Sequence, residues 1–272
     1  MTIRQIARAF KNLSLTVVLA MGPSQVHTQV DMPLDEVQNI LKSDLALATI
    51  AETILIPDDV LDVVTAYYRR LFETDIVAEH IRQNVPPNTM VDLVDPDLNR
   101  HFPAAYSIAD MFPMLSDQGV RYLHLSDLQT MLRGFVYQMD VMPENKCDQA
   151  MNKRVPPEQG VEWARAALMT MQPDALAHYL DAKYRSVLLG IDHEQDGRIL
   201  SADDMRAAQD IMLKEMDIYF TMIGGSFAGG LQASEALPAC ERVAALLTYA
   251  LELEPETQDY VLRLLVSAAA PN

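Results

Sequence analysis

The sequence predicts an all-α fold, and three observations carry that expectation. Apolar residues recur at three- and four-residue spacing along almost every segment. No stretch alternates apolar and polar residues for long enough to make a sheet strand. Glycine is scarce, 10 in 272 residues, which argues against a turn-rich β architecture.

Taken in order, the helical spacing covers Leu34–Leu55 and Val60–Val85, the second introduced by Pro57-Asp58-Asp59, a proline and acids suited to a helix start. Prolines at Pro86-Pro87, Pro96 and Pro103 mark a boundary over 86–105. Ile108, Met111, Phe112 and Leu115 form the next stripe. Leu128–Val141 follows Ser126-Asp127, an N-cap with an acid in the first turn. Val161–Met171 and Ala175–Ile191 come next. Met205–Ile223 is opened in the same way by Ser201-Ala202-Asp203. Ala236–Leu253 and Tyr260–Ala269, led by Pro255-Glu256, complete the set.

Composition narrows the function classes. Half of the residues are hydrophobic, enough for a packed core. Asp plus Glu number 38 against 21 Lys plus Arg, a formal charge of −17. That balance repels nucleic-acid phosphates and anionic membrane surfaces, and suits metal cations or basic partners. The first acid is Asp31. Before it come Arg4, Arg8 and Lys11 and the apolar run Leu13–Met21, the pattern of a secretory signal peptide over 1–24. The expected location is periplasmic or secreted, with a cytoplasmic or organellar site as the alternative. No other apolar run is long enough to span a bilayer. Cys147 and Cys240 lack metal-ligand spacing and read either as two buried thiols, the favoured reading, or as one disulfide.

Enzyme motifs are missing, and the chain is read as a non-enzyme. The histidines show no paired metal spacing. Gly224-Gly225-Ser226 follows a helix, where a nucleophile elbow needs a strand. There is no glycine-rich phosphate loop, and Trp163 alone makes no stacking platform for bases.

The chemistry concentrates in Asp192-His193-Glu194-Gln195-Asp196-Gly197-Arg198-Ile199-Leu200-Ser201-Ala202-Asp203. Carboxylates at alternate positions of a tight loop converge on a hard cation. Asp192, Glu194 and Asp196 stand at positions 1, 3 and 5, and Gly197 allows the turn at position 6. Arg198 offers its backbone carbonyl at position 7, Ile199 is apolar at position 8, and Asp203 closes the loop at position 12. The segment resembles the calcium loop of the EF-hand family. The flanks Tyr184, Val187, Leu188 and Ile191, then Ala207, Ala208 and Ile211, have the spacing such helices use. Glu194 at position 3 and the short Asp203 at position 12 depart from the usual pattern, which weakens calcium and narrows its advantage over magnesium.

Three degenerate loops accompany it, at 116–127, 148–159 and 224–235. Leu123, Val155 and Leu231 hold their position 8, and most ligand positions are lost. The resemblance implies an N-terminal helical region (25–104), two EF-hand-like helix-loop-helix pairs (105–254) and a C-terminal helix (255–272). It implies one calcium ion of structural or low-affinity character, with magnesium as competitor, in a protein that acts through contacts with an unidentified protein partner. The alternative is a metal-free helical scaffold or interaction subunit of a larger assembly. Twelve of the sixteen Met lie between Met111 and Met222, and core filling is favoured over a sensor groove.

Overall fold

The computed structural model describes residues 32–85, 103–152, 154–192, 200–222 and 239–269. They form twelve α-helices and no strand. The all-α expectation therefore holds for the described residues. None of their helices is long and apolar enough to cross a membrane.

The helices divide into two compact units. The first holds α1 (Leu34–Leu41), α2 (Asp44–Thr53), α3 (Leu61–Glu73), α4 (Asp75–Asn84), α5 (Pro103–Gly119) and α9 (Pro173–Asp192). The second holds the short turn Val120–Tyr122, α6 (Leu125–Val141), α7 (Glu144–Met151), α8 (Pro157–Leu168), α10 (Ala202–Met222), α11 (Ala239–Glu252) and α12 (Pro255–Ala269). This division cuts across the one expected from the sequence near residue 104. The long helices α5 and α9 return to the N-terminal helices, and α12 is an integral part of the second unit. The physical reason is burial: α5 and α9 each present an apolar stripe to the other, which no local turn would cover.

In the first unit, α9 packs on α3, α4 and α5, and α1 and α2 close the remaining sides. Phe72 and Phe112 are fully buried, with ring centroids 6.0 Å apart, and Tyr68 lies 5.9 Å from Phe112. Burying each phenylalanine contributes about 2–3 kcal/mol. Pro113, inside α5, removes one helical hydrogen bond at that point.

Two stripes expected as single helices are broken. Leu34–Leu55 divides at Ser43, whose hydroxyl donates to the Ile40 carbonyl (2.7 Å) and accepts from the Ala46 amide (3.2 Å). One hydroxyl thus ends α1 and caps α2. Val60–Val85 divides at Thr74, which is extended (ψ 117°). Leu125 rather than Asp127 opens α6, so the expected Ser126 cap is already helical.

The second unit centres on α6 and α11. Arg263 of α12 is only 4% exposed. Its Nε donates to Asp259 (2.8 Å) and its Nη1 to the carbonyls of Leu123 (3.1 Å) and Arg121 (3.4 Å). The buried charge is thereby paired, and it satisfies carbonyls of the turn between α5 and α6. Gln258 donates to the Leu251 carbonyl near the end of α11 and accepts from Gln129 of α6.

Cys147 and Cys240 form a disulfide, with Cα atoms 6.0 Å apart, that ties α7 to α11. The favoured reading of two free buried thiols is corrected here. Both residues sit in the core, at 0% and 4% exposure, and packing brings them together across a sequence separation of 93. Met139, Met142, Met151, Met169, Met171 and Met212 are buried, which bears out core filling for these six.

Candidate metal centre

The helix that leads into the candidate loop is firmly held. Ser116 of α5 and Ser186 of α9 share a buried hydrogen bond of 2.6 Å. A Cβ added to Gly119 would stand 2.6 Å from the Gly190 amide nitrogen, and one added to Gly190 would collide with the Leu115 carbonyl. Only glycine permits backbones to approach so closely. On the other side of α9, Tyr184 accepts the Arg70 guanidinium 3.9 Å above its ring and meets the Thr74 hydroxyl at 2.9 Å. Arg70 also reaches Asp181 at 2.5 Å.

Of the expected incoming face, Val187 is fully buried, while Tyr184, Leu188 and Ile191 are half-buried. The buried stripe is instead Tyr179, Ala182, Ser186, Leu189 and Gly190, together with Val187. It is rotated because α9 packs on three neighbours rather than one.

Asp192 is the last residue of α9 and is exposed. No basic residue stands in that last turn. A carboxylate at a helix C-terminus meets the negative end of the helix dipole, so this position favours a cation beside it.

Beyond the loop, Ser201 caps α10. Its hydroxyl accepts from the Asp204 amide (3.1 Å), and the Asp204 carboxylate accepts from the Ser201 amide (3.1 Å) and hydroxyl (2.9 Å). This reciprocal capping box satisfies two donors that the helix start leaves open. The expected N-cap is therefore present, with Asp204 as its partner. Asp203 is free of the cap, largely exposed, and pairs with Arg206 one turn on. Leu200 and Ala208 are buried, Ile211 half-buried and Ala207 exposed.

Glu194, Asp196 and Arg198, with Gly197 and Ile199, lie outside the described residues. Asp192 and Asp203 belong to different units, the chain passing from one to the other after His193. Among the described residues, no three His, Cys, Asp or Glu side chains gather as a metal site would require.

The degenerate loops fare differently. Ser116–Gly119, the first third of the loop expected at 116–127, is the end of α5, and only a short turn separates it from α6. Leu123, placed at position 8, is fully buried in that turn. No twelve-residue loop forms there, because the Gly119 crossing with α9 extends α5. At 148–159, Asp148 likewise lies in α7. Its carboxylate accepts from the Cys240 amide at 3.3 Å, at the start of α11. Asp148 is thus a helix-capping group beside the disulfide and not a ligand at position 1. The loop at 224–235 and the leader at 1–24 lie outside the described residues.

Sequence reasoning missed the Asp148 cap and the α5–α9 glycine contact. Neither has a local signature, since each partner lies in a distant segment. No protein-family model, no curated protein and no solved structure matches the chain.

Proposed function

We propose that the chain binds one divalent cation, calcium in preference to magnesium, through the segment 192–203. The carboxylates of Asp192, Glu194, Asp196 and Asp203 and the Arg198 carbonyl would supply the oxygens. The observation that carries this reading is the acid at the end of α9. Asp192 faces the negative end of its own helix with no basic residue in the turn, and two further acids follow within four residues. A bound cation offsets that repulsion. The donor set is all oxygen, which fits a hard ion.

The ion has a structural role in this reading, and the protein acts through contacts with other proteins. Asp203 must leave Arg206 to reach a metal, and its side chain is short, so affinity is low, about 10⁻⁴ M or weaker. A protein placed outside the cytoplasm meets calcium at such levels. The Cys147–Cys240 disulfide supports a periplasmic or secreted setting, because disulfides persist in oxidising compartments. The basic and then apolar start of the sequence supports it independently.

Melting curves with and without calcium test the structural role. A structural ion raises the melting temperature by mass action on the folded state and leaves dye binding to apolar surface unchanged. A calcium-dependent rise in dye binding would mean a sensor instead. The second reading is a metal-free helical scaffold. It is favoured by the turn between α5 and α6, which is too short to hold ligands in a ring.

A further inference from the structure

We draw no further inference here: the strongest candidate, the side-chain cluster of Tyr67 on α3, Asp117 on α5 and Tyr179 on α9 inside the first unit, rests only on the raised titration of its groups.

Discussion

Gly119 and Gly190 face each other across the α5–α9 crossing, with no space for a Cβ on either. The contact sets the path of the helix that ends at Asp192. Gly119→Ala or Gly190→Ala must push backbone against backbone, and each should cost about 3 kcal/mol or more. Urea unfolding measures it. Ser116→Ala, which removes the buried Ser116–Ser186 bond without adding volume, should cost about 1–2 kcal/mol. An alanine tolerated at either glycine would contradict the packing described for this crossing.

The Cys147–Cys240 bond joins two helices of the second unit and closes a long loop of the chain. In the chain-entropy account, a loop of that length contributes about 4–5 kcal/mol by restricting the unfolded chain. Cys147→Ser plus Cys240→Ser should therefore lower the melting temperature markedly. Thiol titration of the unreduced, denatured wild type should find no free thiol. Asp148→Ala leaves the disulfide in place and should cost about 1 kcal/mol through the lost cap on the Cys240 amide.

Local patterns in the sequence were enough to read most of the helices, their approximate limits and the Ser201 cap, but not α7, part of which falls in the loop expected at 148–159. Breaks such as Ser43 were harder, because a single hydroxyl decides them and apolar spacing continues on both sides. The division into units was not legible. It depends on α9 returning to α5, and the signals for that return are two glycines and two serines far apart in sequence. The turn at 120–124 shows the same limit. Leu123 and the stripe on α5 match a hand-like pattern, yet the same stripe serves equally well for the packing of α5 on α9.

Asp117 is half-buried at the α5–α9 crossing. Burial pushes its carboxyl up to about 8, against the pull of Lys183. In the unfolded chain an aspartate titrates near 4. Between those values the folded state holds a proton that the unfolded state has lost. Stability from this group is thus fully present below about pH 4, declines as pH rises toward 8, and is level beyond. Asp117→Asn should flatten the decline and stabilise the protein at pH 8 relative to wild type. Unfolding free energies at pH 5 and pH 8 for both proteins check it. An unchanged slope would contradict the assignment.

Tyr67 is buried, and its hydroxyl has no hydrogen-bond partner among the described residues. Burial is also the chief reason its phenol titrates well above the ordinary range, with Tyr68 and Tyr179 adding to the effect. Tyr67→Phe keeps the ring and removes an unsatisfied polar group. It should raise stability by about 1 kcal/mol, measured by urea unfolding. A loss of similar size would mean that the hydroxyl is satisfied.

Asp203 is paired with Arg206 at the surface, where such a bond is worth about 0.2–1 kcal/mol. If Asp203 is a metal ligand, the ion must displace Arg206. Arg206→Ala should then tighten calcium binding by up to about fivefold. Unchanged or weaker binding would remove Asp203 from the ligand set.

The central claim is a cation at 192–203, and isothermal calorimetry with calcium tests it most directly. Wild type should give a saturable heat with one ion per chain, and Asp192→Ala plus Asp196→Ala should abolish it. No heat from the wild type, or equal heat from both proteins, would contradict the claim.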